Sequence, residues 1–232
     1  MPETISYRFY APGHEKTVVD LSFDDTSYRL LDGSEGAHPD WAKLDYQKCP
    51  NCPLEADTEW CPAAVAIARF LPEFESRVSY EKAVVEVETP HRTVVSKTTF
   101  QSGMASLIGL VCATSGCPHT LFLRPMARFH LPFANEQETV YRTLSTYLLK
   151  LYIEASDHGA VPDCAMGFEQ LKQSYADLSK VNEYLAERLR DAVQRDAALN
   201  AVIILDSFAQ IAPENIDFGF EDIRQIFAAE GR

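Results

Sequence analysis

The sequence predicts an α+β fold in which a small antiparallel sheet of about four strands, with an N-terminal cysteine loop, packs on a C-terminal helical bundle. Two observations lead to this prediction. Short runs of alternating apolar and polar residues occupy the first hundred positions, whereas longer apolar or amphipathic segments occupy the remainder. We expect a single domain over residues 1–232, with an α+β layer at 1–100 and a helical layer at 101–232.

Four segments of the first layer have the alternation and the β-branched or aromatic residues of strands. They run from Ile5 to Tyr10, Thr17 to Phe23, Lys82 to Glu88 and Arg92 to Phe100. The first two are separated by Ala11-Pro-Gly-His14, which is typical of a turn. The last two flank a second turn at Thr89-Pro-His91.

Seven segments show helical periodicity or helix-ending residues. They run from Pro62 to about Arg77, Ser102 to Thr114, Pro118 to about His130, Glu136 to about Asp157, Phe168 to about Gln194, Leu199 to Ile211 and Phe220 to Ala229. Asn135 is the expected N-cap of the fourth, because Glu136 and Glu138 follow it. Gly116 and Pro213 are expected to end the second and sixth.

The charge balance restricts the classes of partner. The chain has 21 basic and 34 acidic residues, a formal net charge of −13. This excess argues against binding to nucleic acid or to an anionic membrane, both of which favour a basic surface, and leaves a basic protein partner possible. No segment has the pattern of a signal peptide or a membrane span. We therefore expect a cytoplasmic protein with reduced thiols.

Proline follows four of the six cysteines, and four is the number of ligands in a tetrahedral zinc site or a cubane iron–sulfur cluster. The predicted metal ligands are Cys49, Cys52, Cys61 and Cys117. Cys112 and Cys164 are followed by alanine and are not part of this set. Because CxxC pairs in a reducing compartment are more often metal ligands than disulfides, the pattern predicts one metal centre.

Proline also constrains the cysteine that precedes it, because it favours extended backbone at that residue and begins helices well. Cys61 and Cys117 are therefore predicted N-caps of the helices that begin at Pro62 and Pro118. At such a position the helix dipole favours the thiolate, the form that binds metal, by about 0.3–1 kcal/mol.

The identity of the metal depends on details of the spacing. Cys49-Pro-Asn-Cys52 resembles a rubredoxin or zinc-ribbon knuckle, but Pro53 replaces its final glycine. A close group of cysteines with one distant Cys-Pro is similar to ferredoxin-type ligation. We expect an iron–sulfur cluster in preference to zinc, while four unligated thiols in loops and caps remain the simpler alternative.

Three other residues follow Cys117 closely. His119 is an alternative metal ligand, since it lies two residues beyond Cys117. Arg124 and Arg128 are four residues apart on one helix face and are candidate cofactor-binding residues near a thiolate cluster. Surface arginines paired with local carboxylates are the plainer interpretation.

Two alternatives to a metal protein come from the same residues. One is a thiol-dependent enzyme with Cys117 as nucleophile, its pKa lowered by the helix end and nearby basic residues. The other is a protein-interaction module in which the cysteines are incidental. The sequence has no GxGxxG, Walker, HExxH or GxSxG motif, so it identifies no catalytic residues.

The CPxCP…CP motif, Ala113-Thr-Ser-Gly-Cys-Pro-His119 and Leu123-Arg-Pro-Met-Ala-Arg-Phe-His-Leu-Pro-Phe133 resemble an uncharacterised bacterial protein family. The likeness extends over most of the chain, including Ile204 to Gln210. It implies an intracellular bacterial protein and no particular activity.

Overall fold

The computed structural model describes residues 3–31, 37–74, 77–160, 167–193, 196–218, 224–226 and 228. Its four strands are β1 Glu3–Tyr10, β2 Thr17–Phe23, β3 Lys82–Thr89 and β4 Arg92–Thr99. They form one antiparallel sheet in the order β2-β1-β3-β4. The helices lie mostly in the C-terminal part, so the predicted α+β class is confirmed.

Strand β1 lies inside the sheet and shows how its two faces differ. Its odd-numbered residues Ile5, Tyr7 and Phe9 are fully buried in the main core. On the opposite face, Arg8 forms ion pairs with Glu86 and Glu88 of β3. Because successive side chains of a strand point to opposite faces, the odd-numbered face packs on the helices and the even-numbered face carries the charges.

The helices are α1 Pro62–Ala68, α2 Phe100–Thr114, α3 Arg124–Arg128, α4 Glu136–Asp157, α5 Glu169–Ala192 and α6 Ala197–Phe218, with 3-10 turns at Asp40–Ala42, Leu71–Phe74 and Pro118–Leu123. Helix α2 packs on the sheet at Gly103. A Cβ at this position would lie 2.6 Å from a ring carbon of Phe9 and 2.9 Å from Val85, so glycine is what permits the close approach.

The N-terminus of α4 is set by the residues predicted for it. Asn135 accepts a hydrogen bond from the Glu138 amide, and the Glu138 carboxylate accepts one from the Asn135 amide. This reciprocal capping satisfies two amides at the helix start.

Three predicted helices differ from the structure. The helix expected from Pro62 to Arg77 ends at Ala68, because Pro72 favours the 3-10 turn that follows. The segment after Pro118 is a 3-10 turn before it becomes α3. Pro213 was expected to end a helix but lies inside α6. Of the helix expected from Phe220 to Ala229, only 224–226 and 228 are described, and they are helical.

Two clusters of buried side chains hold the described chain together. The main one joins the inner face of the sheet to α1, α2 and the adjoining parts of α5 and α6. The second joins α4, α5 and α6 through Leu144, Leu171, Tyr175 and Ile216. No single helix among the described residues is long and apolar enough to cross a bilayer; α2 and the segment Pro118–Arg128 reach that length together, but with a bend of 111°.

Candidate metal centre

The cysteines of the predicted set lie where proline was expected to place them. Cys61 has extended backbone and precedes α1, with Pro62 as its first residue. Cys117 has the same conformation before the 3-10 turn Pro118–Leu123. Gly116 makes the turn between α2 and Cys117 with a φ of +96°, which favours glycine. Both N-cap predictions are confirmed.

The Cys49–Cys52 segment forms a tight turn. The Cys52 amide donates a hydrogen bond to the Cys49 carbonyl oxygen at 3.0 Å. Lys48 Nζ donates to the Leu54 carbonyl oxygen at 3.0 Å and closes the segment on its other side. All three cysteines of this region are partly buried, and Cys49 and Cys61 pack on the main core.

The thiols affect one another electrostatically. Burial raises the pKa of the Cys49 thiol to about 12, and the charges of the other three Cys-Pro cysteines add to the rise. Burial likewise raises the pKa of the Cys117 thiol to about 11, and the charges of Cys61 and Cys52 again contribute. Three separate segments therefore bring their thiols into one neighbourhood.

The backbone around Cys117 favours a negative sulfur. The nearby backbone amides of His119 and Thr120 act to lower the pKa of the thiol. Burial outweighs them, since Cys117 is 8% exposed and its pKa is raised overall. The local amides therefore favour the thiolate, but they do not make the free thiol acidic.

His119 connects two of the cysteine segments. Its Nε2 lies 2.7 Å from the Asn51 carbonyl oxygen, so Nδ1 is the ring nitrogen left for a ligand. The Asn51 amide nitrogen donates to both the carbonyl and the carboxylate of Asp177 at 3.2 Å. The turn between Cys49 and Cys52 is thus attached both to the Cys117 segment and to α5.

Arg188 of α5 is a residue of this region that the sequence analysis missed. It is 1% exposed and donates to the carbonyl oxygens of Trp41, Lys43 and Leu44 at 2.7, 2.7 and 3.2 Å. None of the ion pairs among the described residues involves it. Its positive charge lowers the pKa of Cys49.

Residues 5–228 match the model of a family described as a domain of unknown function, DUF6901. The chain belongs to this family. The resemblance to an uncharacterised family that the sequence motifs indicated is thereby confirmed. Comparisons with curated proteins and with solved structures gave no match.

Of the two arginines predicted to bind a cofactor, Arg128 has other contacts in this DUF6901 chain. Arg128 forms an ion pair with Glu3, and its guanidinium lies 4.9 Å from the centre of the Tyr28 ring. Arg124 is partly buried, and its Nε has no hydrogen-bond partner. The positive charge that acts on Cys49 comes instead from Arg188.

The thiols are neighbours without being in coordination geometry. Within the described part of the DUF6901 chain, no group of three or more Cys, His, Asp or Glu side chains is arranged to hold a metal ion. Binding would therefore require the four thiols to draw together. Cys112 is buried beside the site, whereas Cys164 lies outside the described residues.

Proposed function

We propose that Cys49, Cys52, Cys61 and Cys117 bind one metal centre, an iron–sulfur cluster in preference to zinc. The observation that supports this proposal is the convergence of the cysteine segments: Cys117 is buried in the main core, and Cys49 and Cys61 pack against that core. In keeping with this packing, the charges of neighbouring cysteines help to raise the pKa values of the Cys49 and Cys117 thiols. Four thiolates in one neighbourhood repel each other, which is unfavourable without a cation. A bound metal reverses this effect, because it attracts the same thiolates.

The surroundings of the thiols suit a centre with a net negative charge. Four thiolates around a zinc ion or a cubane cluster leave a net charge of about −2. The buried Arg188 supplies a positive charge near Cys49, and the backbone amides of His119 and Thr120 favour the thiolate of Cys117. Such donors stabilise metal-bound thiolates as well as free ones.

The preference for a cluster depends on how the ligands are distributed. Three cysteines are close in sequence and the fourth is distant, as in ferredoxin-type ligation. Pro53 also disfavours the regular zinc knuckle, because proline has no amide hydrogen to donate. A cluster here would serve redox chemistry or sensing, whereas zinc would serve structure by joining residues 49–61 to the end of α2.

Anaerobic purification followed by iron and zinc analysis and an absorption spectrum tests the proposal. We expect iron in the wild type, with broad absorption at about 400 nm. Cys117→Ser should lose the metal, whereas Cys112→Ser, which changes a buried neighbour outside the ligand set, should retain it. Wild-type protein that folds with neither metal would contradict the proposal.

Alkylation of the same samples addresses the thiol-enzyme alternative. A nucleophilic cysteine needs a lowered pKa and an accessible sulfur, whereas Cys117 is buried with a raised pKa. We expect slow alkylation of all four thiols in loaded protein and faster alkylation after metal removal. A single thiol that reacts rapidly at Cys117 in metal-free protein would favour the enzyme.

A further inference from the structure

A cavity of about 530 Å³ lies between α2, α3, α4, α5, α6 and the inner face of β4. Its size is within the range of small-molecule sites, roughly 300–1,000 Å³. The lining is predominantly apolar and includes Leu110, Phe133, Leu178, Leu205 and Phe208. It is separate from the thiols of the proposed ligand set, although Cys112 contributes to its wall.

The lining has one charged group at neutral pH. Among the described residues that line the cavity, none is acidic and Arg142 is the one with a full positive charge, since burial lowers the pKa of His130 to about 3. Arg142 makes its two hydrogen bonds, to the Met126 and Phe129 carbonyl oxygens, through Nη2 alone. None of the ion pairs among the described residues includes it.

Asn182 of α5 also lines the cavity, and its amide nitrogen has no partner. The residue is 5% exposed, and its Nδ2 is a fully buried donor without a hydrogen bond. Burial of an unpaired amide is unfavourable in an otherwise apolar environment. An oxygen acceptor supplied by a bound molecule would remove this penalty.

The backbone at the cavity is strained at one point. Phe133, between α3 and α4, has a φ of +61°, a left-handed conformation that is unfavourable for a bulky side chain. Strain of this kind is concentrated at binding sites, where surrounding structure maintains it.

We propose that the cavity binds a medium-chain carboxylic acid that carries a second oxygen acceptor near its other end. Its carboxylate pairs with Arg142, its alkyl chain contacts the apolar lining, and its second oxygen accepts from Asn182 Nδ2. A monocarboxylate fits better than a phosphate ester, because the lining offers one cation and that guanidinium already donates to two carbonyl oxygens.

The spacing of the two polar groups sets the length of the ligand. Burial raises the pKa of the Tyr175 hydroxyl to about 12, and the charge of Arg142 opposes this rise. Arg142 is next to Thr143, whose hydroxyl lies 2.7 Å from that of Tyr175, so the guanidinium is near Tyr175. Asn182 is seven residues farther along α5, about 10 Å away at the rise of an α-helix. An extended chain of the length of decanoate spans this distance, with Leu178 beside it.

Isothermal titration calorimetry with ω-hydroxydecanoate, decanoate, decanol and decylamine, all below their micellar concentrations, tests the proposal. We expect saturable one-to-one binding of ω-hydroxydecanoate and weaker binding of decanoate. Decanol and decylamine should bind at least about tenfold more weakly than decanoate, since neither pairs with Arg142. Equal binding of decanoate and decylamine, or no saturable binding of any acid, would overturn it.

Variants separate each contact, and melting curves and near-ultraviolet circular dichroism establish that each variant folds. Arg142→Gln should weaken acid binding at least about tenfold, and Arg142→Lys should restore most of it. Asn182→Leu should raise the melting temperature, because it removes an unpaired buried amide, and should abolish the preference for ω-hydroxydecanoate over decanoate. A preference that survives in Asn182→Leu would overturn the assignment of the second oxygen.

Gly109 offers a way to block the cavity without touching either polar group. It lines the cavity, and a Cβ there would lie 3.4 Å from Leu205 Cδ2. Gly109→Leu should fill part of the cavity and abolish binding in folded protein. Unchanged affinity in this variant would place the bound acid elsewhere and overturn the proposal.

Discussion

The cysteine centre and the cavity meet at the end of α2, yet they present opposite electrostatic problems. The centre gathers four groups that become negative as they ionise, with Arg188 beside them. The cavity has one positive group, no acidic lining residue among those described and an unpaired amide donor. The first region therefore suits a cation and the second an anion. The gathered thiols indicate the ligand of the first region, and Arg142 and the unpaired Asn182 amide indicate that of the second.

The largest expected effect is the loss of stability when one of the four proposed metal-binding cysteines is replaced. Cys117→Ser should lower the melting temperature and increase proteolysis within residues 49–61, because a metal would join that loop to α2. A fully structural site contributes up to about 10 kcal/mol to folding. Thermal melts and limited proteolysis of metal-loaded protein measure both effects.

Cys112→Ser is the matched control, since Cys112 is buried near the centre but outside the ligand set. It should lower the free energy of unfolding by no more than an ordinary core substitution does, and it should leave proteolysis of the loop unchanged. The hydrogen bonds that attach Asn51 of this loop to Asp177 of α5 remain in both variants. Equal effects of the two serine variants would show that Cys117 has no special role.

Arg188→Met should be next in size, because it leaves the carbonyl oxygens of Trp41, Lys43 and Leu44 without this donor. We expect a loss of about 3 kcal/mol in the free energy of unfolding, and weaker metal binding through loss of the charge near Cys49. Arg190→Met is the control two residues away, where the exposed arginine pairs with Glu187. For this control, urea denaturation should give a free energy of unfolding within about 0.5 kcal/mol of the wild-type value.

A pH titration of stability tests the effect of burial on His130, which lines the cavity. Burial lowers the pKa of His130 from 6.5 to about 3, with a further contribution from the charges of Arg142 and Arg92, and its Nε2 lies 2.5 Å from the Tyr7 hydroxyl. The folded state therefore favours neutral His130. Its stabilisation is fully present above pH 6.5 and is lost as the pH falls towards 3.

We expect this loss to reach about 3 kcal/mol, less than the pKa difference alone implies, because His130 retains some exposed surface. Urea denaturation at several pH values should show a shallower acid dependence in His130→Gln than in wild type. His91→Gln, at an exposed turn residue, should retain the wild-type slope. Identical slopes in all three proteins would exclude His130 as the titrating group.

The smallest expected effect comes from alanine substitutions of two glycines on different sides of α2. Gly103→Ala forces a methyl group against Phe9 and Val85, so it should lower the free energy of unfolding by about 1–3 kcal/mol. Gly109→Ala projects towards the cavity and should be neutral or stabilising by up to about 1 kcal/mol, because alanine favours helix. A loss of stability in Gly103→Ala but not in Gly109→Ala would confirm that one side of α2 is tightly packed and the other open.

Locally determined features could be predicted from the sequence. The four strands follow from alternation, the start of α4 from the reciprocal cap of Asn135 and Glu138, and the N-cap positions of Cys61 and Cys117 from the prolines that follow them. Each depends on residues a few positions apart, whose preferences are fixed by backbone sterics and nearby hydrogen bonds.

Tertiary contacts decided the rest. Arg188 and Arg190 are both arginines of one helix, and only contact with carbonyl oxygens more than 140 residues away makes the first a buried cation. Asn182 and Arg142 likewise become binding candidates because five helices and a strand enclose a cavity around them. The sequence by itself determined the strands, the caps and the family, whereas the burial that sets charge and reactivity came from long-range packing, because desolvation depends on neighbours that only the fold brings together.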